Sequence, residues 1–290
     1  MLLLVSSVQA QINGVVLDSI TNEPLVYANV ILQTQQIGVA TNYKGVFQIN
    51  NKNNLESDTL LVSHVGYKSK RIVLSHIKKD SVYKFYLKED LNLLDEVVIK
   101  SSKKLSKTKY KIKTKRKKLV GHNLKYNEEL VKYIDNKKNT PGKLLKVTFY
   151  LRNYKIFFGT KLPVHYRLRL YHIDTISKKP KNLVLLKRDI VIKPENKKQN
   201  FELDLTNYNI KFPKEGLYVG LQSINPSLIQ PKKGLFYEIT PLPVQSHVKK
   251  TSSFFRDLGG KWHSFEHLGS LKKNHHRDLI IDVELKYYEK

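Results

Sequence analysis

Residues 38–49 read GVATNYKGVFQI, two apolar runs on either side of a short polar turn that ends in glycine. Apolar residues that alternate on both sides of a turn indicate a β-hairpin, and Asn42–Gly45 suits a four-residue loop. Gly45 can adopt the positive φ that such a loop requires. Two hypotheses follow: a ligand-binding tip at Tyr43 and Lys44, or the corner of a small β-domain.

The same alternation of period two continues through residues 11–99, with turn signals between short apolar runs. Helical periodicity is almost absent from this part of the chain. The predicted strands are residues 13–18, 26–32, 38–41, 46–49, 59–63, 69–74 and 82–87. Seven short strands in so few residues predict a seven-stranded β-sandwich.

Five motifs occur in order along this region: GVVLD, TNEPLVYANV, GVATNYKGVF, LLVSHVGY and LKEDLNLLDEVVI. With these motifs, residues 11–99 resemble the carboxypeptidase-regulatory-like domain. The resemblance implies a transthyretin-like fold and a protein of Bacteroidota, where the domain commonly begins TonB-dependent outer-membrane receptors and other exported proteins. The family more often has aspartate at Asn42, but an asparagine side chain can cap the same turn. The resemblance implies no peptidase activity, because no catalytic zinc signature accompanies the motifs.

The first residues predict export. Residues 1–5 are apolar, and Val8-Gln9-Ala10 places small residues at the spacing of a signal-peptidase site. We expect residues 1–10 to be a signal peptide whose start lies further upstream, and Gln11 to begin the mature chain. The alternative is a buried N-terminal strand.

Charge divides the chain into three segments. Residues 11–99 carry no net charge, residues 100–118 hold eleven basic and no acidic residues, and residues 119–290 have a net charge of +16. Dense like charges keep a chain solvated, so residues 100–118 are predicted to be a flexible basic linker. The alternatives are weak contact with an anionic membrane and, least favoured, with nucleic acid, for which no binding motif is present.

Residues 119–290 are predicted to be a second, jelly-roll-like β-sandwich of about eight strands. Residues 166–171 alternate arginine with apolar residues, which predicts one wet and one buried face. Residues 126–134, YNEELVKYI, are the one predicted short helix. Strand order from 142 to 285 resembles a β-sandwich region that follows the regulatory-like domain in Bacteroidota proteins, and this resemblance implies no activity.

The candidate catalytic and metal motifs are weak. His263-Ser-Phe-Glu-His267 spells the inverted zinc-protease motif, but that chemistry needs a helix, and the context here predicts strands. His275, His276 and Asp278 are a second metal candidate, outweighed by a polar turn. The absence of cysteine excludes disulfides and thiol catalysis. We therefore expect no catalytic residue, no metal and no cofactor.

Trp262 is the only tryptophan and could stack on a sugar, although a packing role is favoured for it. With Tyr43 and Lys44 it completes the set of tentative ligand contacts. We expect an exported, non-enzymatic protein of the periplasm or outer membrane, with a structural β-domain and a second domain that binds an anionic glycan or a protein. The alternatives are an accessory subunit of an outer-membrane uptake complex and, least favoured, a polysaccharide hydrolase.

Overall fold

The structure is a computed structural model that describes residues 10–51, 56–76, 82–90, 104–122, 124–153, 160–184, 186, 188–194, 200–228, 237–267 and 276–289. The chain divides into two compact units. The first comprises residues 1–94 with two short pieces, 226–228 and 257–260, and the second comprises the rest. The predicted signal peptide lies outside the described residues except for Ala10.

The first unit contains seven described strands. They are β1 Ala10–Asp18, β2 Asn29–Leu32, β3 Ile37–Ala40, β4 Val46–Asn51, β5 Thr59–Ser63, β6 Lys70–Val73 and β7 Val82–Leu87. One sheet has the order β4-β1-β7 and the other β3-β2-β5-β6. Buried apolar residues from both sheets share a single core, so the prediction of a seven-stranded sandwich is confirmed.

The turn in the opening stretch is held by its own side chain. Asn42 Oδ1 accepts hydrogen bonds from the backbone N–H groups of Lys44 (2.9 Å) and Val46 (3.0 Å). Gly45 has a φ of 70°, a region that residues with a Cβ rarely adopt. Phe47 then enters the core, where its ring lies 5.6 Å from that of Phe85. The turn is therefore the corner of a β-domain.

The second unit contains seventeen described strands, more than the eight or so that were predicted. They are β8 Tyr110–Ile112, β9 Val120–Gly121, β10 Glu128–Ile134, β11 Gly142–Arg152, β12 Thr160–Pro163, β13 His165–Ile173, β14 Pro180–Leu183, β15 Val191–Ile192, β16 Asn200–Asp204, β17 Lys211–Phe212, β18 Leu217–Ile224, β19 Tyr237–Thr240, β20 Leu242–Val248, β21 Ser253–Asp257, β22 His263–Ser264, β23 His276–Leu279 and β24 Ile281–Tyr287. Short 3-10 turns occur at Leu74–His76 in the first unit and at Thr206–Tyr208 and Phe265–His267 in the second.

Two large sheets enclose the core of the second unit. One has the order β14-β13-β18-β10-β21-β22, with β15 on β13. The other has the order β23-β20-β11-β24-β8, with β16 and β17 on β11 and β9 on β20. Buried apolar residues of both sheets form one cluster. Most neighbouring strands are not consecutive in the chain, as in jelly-roll folds, and the prediction of an all-β chain is confirmed.

Two local predictions for the second unit are wrong. The segment predicted as a helix is strand β10, which pairs with β18 from Glu129 to Ile134. Glu, Leu and Lys are good helix formers, but intrinsic propensity is a weak determinant, and pairing with neighbouring strands overrides it. Both faces of β10 are buried, so it lacks the polar side that would have identified it as a strand.

The basic segment is also not the solvated linker that was predicted, at least from Tyr110 to Lys117. Strand β8 pairs with β24, and Thr114 Oγ1 donates a hydrogen bond to Ile281 O at 2.7 Å. The lysines of β8 and its flanks point outward, while the residues between them are partly buried. The alternation of lysine with Tyr, Ile and Thr is therefore the pattern of an edge strand, which lysines protect from unwanted pairing.

Within the described residues, no helix is long and apolar enough to cross a bilayer.

Candidate functional site

A groove of about 1250 Å³ opens on the second unit, and all of its lining residues belong to that unit. Its rim comes from the turn after β13, the turn before β18, the segment before β21 and the segment around β22. Its floor lies on the outer face of the sheet that contains β13, β18, β10 and β21. The groove is thus built on rigid strands and bordered by loops, a common arrangement for binding sites.

Aromatic rings from neighbouring strands form the floor. Tyr218 of β18 lies 5.4 Å from Tyr133 of β10 and 5.8 Å from Phe254 of β21, measured between ring centroids. These rings belong to a small cluster separate from the main core. Alternate residues of β10, such as Leu130 and Ile134, point into the core instead. The outer face of this sheet is therefore apolar beneath the groove.

The floor tyrosines fix the rim. The Tyr218 hydroxyl donates a hydrogen bond to Lys178 O at 2.5 Å, and the Tyr133 hydroxyl donates one to Glu215 O. Burial raises the pKa of both phenols, so each stays protonated and remains a donor. Two rim turns are thus tied to the sheet, which reduces the entropy lost when a ligand binds.

Trp262 lies in the lining of the groove and is half-buried. The Arg256 guanidinium lies 4.2 Å from the centroid of its ring, within the range of a cation–π contact. The Tyr171 ring meets Trp262 edge-on, with centroids 5.2 Å apart. Arg256 and Tyr171 therefore fix the position of the indole ring.

Arg256 is fixed in turn by a buried carboxylate. Its Nε donates to Glu129 Oε2 at 2.6 Å, and its Nη2 donates to the Tyr171 hydroxyl at 3.0 Å. The Tyr171 hydroxyl itself donates to Glu129 Oε1 at 2.8 Å. Burial favours the neutral form of Glu129, but Arg256 and Arg169 outweigh it and lower its pKa, so the carboxylate stays ionised. Glu129 is 1% exposed.

The arginines of β13 overturn the prediction of a wet face. Arg167 and Arg169 are 1% and 4% exposed. Arg167 Nε lies 3.1 Å from Asp189 Oδ2, and Arg169 Nε lies 3.1 Å from Glu129 Oε1. The alternation of period two is confirmed, but the face that carries the arginines is buried, because carboxylates from distant segments pair with the guanidinium groups.

Charged side chains surround the aromatic floor. The lysines in the lining are Lys178, Lys179, Lys181, Lys250 and Lys261, and the carboxylates are Asp174, Glu215 and Glu266. Lys181 Nζ lies 3.3 Å from Asp174 Oδ2. Hydrogen bonds from the backbone of Ser177, from Lys181 and from the backbone of Ile176 lower the pKa of Asp174 to about 2. The lining therefore carries more basic than acidic side chains.

The three tentative ligand contacts lie in different places. Trp262 lines the groove, whereas Tyr43 and Lys44 belong to the first unit and are not among the lining residues. Tyr43 is 56% exposed at the tip of its hairpin, with Lys44 Nζ 5.7 Å from the ring centroid. Ligand contact by each of these residues stays a prediction.

The histidine motif lies on a strand and a 3-10 turn. His263 is in β22, and Glu266 and His267 are in the turn that follows. Among the described residues no group of three metal-ligating side chains comes together. His275 lies outside the described residues, and Asp278 is buried against Lys132. Asp278 is therefore not an exposed ligand, and the expectation of no metal at His275 and His276 stays a prediction.

Sequence reasoning missed the polar clusters of the second unit. Besides the Glu129 cluster, His122 Nε2 lies 3.1 Å from Glu128 Oε2, and Gln245 Nε2 lies 2.7 Å from His122 Nδ1. The His122 ring stacks on Phe265, with centroids 5.4 Å apart. Polar residues lie on both sides of the Glu128–Glu129 pair in the sequence, so no local pattern marks these two carboxylates as buried.

Comparisons with known proteins identify the first unit. Residues 12–99 match the family model of the CarboxypepD_reg-like domain. The TonB-dependent receptor SusC of Bacteroides thetaiotaomicron is 32% identical over 91 residues, which are 31% of this chain and 8% of the receptor. Residues 12–99 are therefore a CarboxypepD_reg-like domain, as the resemblance implied. The chain spans only a small part of the receptor's length.

Similarity to solved structures is remote. Two structures of BcpA, the major pilin subunit of Bacillus cereus, are each 10% identical, with TM-scores of 0.20 and 0.19. Each alignment covers 94% of this chain and 69% of the pilin. Similarity at this level supports no argument about fold or function. The coarse prediction of an envelope-associated β-domain protein agrees with the sequence matches of the first unit.

Proposed function

We propose that the protein is an exported, non-enzymatic envelope protein whose second unit binds an anionic glycan in the groove. The observation that carries this proposal is the combination of an aromatic floor, a half-buried tryptophan and a border rich in lysines. A protein partner is the less favoured ligand, because an open groove with one held indole suits a narrow polymer better than a broad interface.

The chemistry of the groove fits acidic sugars. Aromatic rings pack against the apolar C–H face of a pyranose, and buried tyrosines and tryptophans supply such rings with little loss of entropy. Lysine ammonium groups bind carboxylates and sulfates as point charges. The net charge of +16 in residues 119–290 attracts a polyanion from a distance.

The first unit supports the location in the envelope. A region of this type occurs in a TonB-dependent receptor of a Bacteroides species, and the sequence predicts a signal peptide. We assign the CarboxypepD_reg-like domain a structural and interaction role. Membership of a receptor complex is the alternative, and co-purification of receptor subunits from envelope extracts would favour it.

The test compares two polymers that share a backbone. Polygalacturonate and its fully methyl-esterified form differ in charge but not in sugar rings. We expect the full-length protein to bind polygalacturonate in titration calorimetry and to bind the ester at least tenfold more weakly, since each tenfold change corresponds to about 1.4 kcal/mol of ion pairing. Comparable binding of both polymers would contradict an anion-selective groove.

Matched charge reversals separate the groove from general basicity. K178E/K179E changes two exposed lysines of the lining, and K113E/K115E changes two exposed lysines outside it. Both doubles alter the net charge equally. We expect only K178E/K179E to weaken binding by about tenfold or more. Equal losses would show that affinity follows total charge, and the proposal would fail.

The same control addresses the basic segment. Weak contact of residues 100–118 with an anionic membrane stays a prediction. K113E/K115E should then reduce sedimentation with phosphatidylglycerol vesicles while leaving polygalacturonate binding intact. If neither the native chain nor the variant sediments, the membrane contact is excluded.

A further inference from the structure

The cluster under Trp262 places several charges where a sheet normally meets water. Glu129 is buried on the outer face of its sheet and contacts Arg256, Arg169 and Tyr171. Replacing such a buried ionic cluster by apolar residues is often neutral or stabilising. Stability alone therefore explains this arrangement poorly. The contact of Arg256 with Trp262, a lining residue of the groove, indicates a second role for the cluster.

We infer that Arg256, held by Glu129, is a positioning residue that fixes Trp262 as a stacking platform for a carboxylated pyranose. This inference rests on the proposed function, because it names the ring that carries the sugar and the pair that orients it. Arg256 contacts the indole at 4.2 Å, and its guanidinium orientation is set by hydrogen bonds from Nε and Nη2. A ring held in this way loses little further freedom when a ligand stacks on it.

The cation also tunes the ligand that the indole accepts. The face of an aromatic ring carries negative potential, which attracts cations and repels anions. A guanidinium on one side of the indole reduces that negative potential. The groove side of Trp262 should then tolerate a sugar that bears a carboxylate, and the neighbouring lysines can pair with the carboxylate itself.

Three single variants dissect this arrangement. Arg256→Met keeps an extended side chain and removes the charge, and Arg256→Lys keeps the charge and removes the planar fork. Arg116→Met is the matched control, because Arg116 also lies 4.2 Å from an aromatic ring, that of Tyr150, and is paired with the carboxylate of Asp282. Arg116 does not line the groove.

The first readout needs no ligand. Trp262 is the only tryptophan, so emission excited at wavelengths that tyrosine does not absorb reports this ring alone. We expect Arg256→Met to shift the emission to the red, to increase quenching by acrylamide and to weaken the near-ultraviolet circular dichroism of tryptophan. Arg256→Lys should produce smaller changes and Arg116→Met none. Emission and quenching unchanged in Arg256→Met would overturn the positioning role.

The second readout is binding of a galacturonate oligomer, followed by the quenching of Trp262. We expect Arg256→Met to bind about tenfold more weakly, within the range of a desolvated cation–π contact. Arg256→Lys should recover part of the loss, because it restores the cation. Undiminished affinity in Arg256→Met would overturn the inference even if the fluorescence changes.

The two proposals can fail separately. If the native protein binds no galacturonate but Arg256→Met still exposes Trp262, the proposed function fails and the positioning of the ring stands without its ligand. If Arg256→Met does not fold, Arg256→Gln replaces it, since its amide can still donate to Glu129, whose charge Arg169 continues to balance. Native-like Trp262 spectra and affinity in this variant would contradict the inference.

Discussion

Buried polar side chains have different kinds of partner in the two units. In the first unit they bind neutral donors: Asn42 accepts two backbone N–H groups of its own loop, and Asp18 accepts those of Ile20 and Thr21 and the Tyr67 hydroxyl. In the second unit they join distant strands, as Lys132 and Asp278 do across 146 residues. Local caps can be read from a short stretch of sequence, whereas long-range ion pairs cannot.

The comparison also separates two kinds of energetic risk. When a turn cap is lost, water can still reach the backbone N–H groups that the cap had bound. A buried ion pair that loses one member leaves a charge in a medium of low dielectric, where solvation is poor. Removing one member of a buried ion pair in the second unit should therefore cost more stability than removing a turn cap in the first.

The largest effect is expected at Asp278. This carboxylate pairs with Lys132 and also accepts hydrogen bonds from Thr251, Ser252 and Ser253. Asp278→Ala should lower the free energy of unfolding by about 3–5 kcal/mol, because it strands the Lys132 ammonium. Urea denaturation of the full chain, followed by hydrogen exchange in β10 and β23, measures the loss.

Two further variants sharpen this result. Lys132→Met with Asp278→Leu removes both charges and should recover most of the stability. Glu202→Ala breaks the exposed pair with Lys146 and should cost less than about 1 kcal/mol. A double variant as unstable as Asp278→Ala would show that the pair itself, rather than an unpaired charge, carries the stability.

An intermediate effect is expected at Asn42 in the first unit. Asn42→Ala removes the acceptor of two backbone hydrogen bonds and should cost about 1–2 kcal/mol. Asn42→Asp restores the acceptor that the family more often has and should be close to neutral. Hydrogen exchange of the amides in β3 and β4 reports stability in this unit alone. Equal losses in both variants would mean that the side chain does not cap the turn.

The smallest effect concerns pH and the rim of the groove. The pKa of Asp174 is about 2 in the folded chain, below the ordinary aspartate value of about 3.9. Its contribution to the turn is therefore fully present above the ordinary value and is lost as pH falls through 2. Titration of its carboxyl carbon by NMR should give this midpoint. A midpoint near the ordinary value would show that the turn is open in solution.

Much of the first unit was predictable from short patterns. Its seven strands, its turn at Asn42 and its domain type all follow from contiguous residues. In the second unit the alternation of residues 166–171 identified a strand, but the burial of Arg167 and Arg169 depends on Asp189 and Glu129. Nothing local to an arginine reveals a partner that folding brings from another strand.

The groove was predictable only in part. Trp262 was singled out because it is unique, and the structure places it in the lining. Arg256 and Glu129 carry no local signal, since they are 127 residues apart and neither lies in a motif. The prediction for the lysine-rich segment was wrong for a different reason. Its composition indicated a solvated chain, whereas the alternation of lysine with Tyr110 and Ile112 already indicated strand β8.

The pairing of β8 with β24 brings the two ends of the second unit together. Leu105 forms a bridge with Tyr288, and Glu289 N donates a hydrogen bond to Lys104 O at 2.8 Å. The described residues at the two ends of this unit therefore lie side by side, an arrangement that favours circular permutation and insertion into a loop of a host protein.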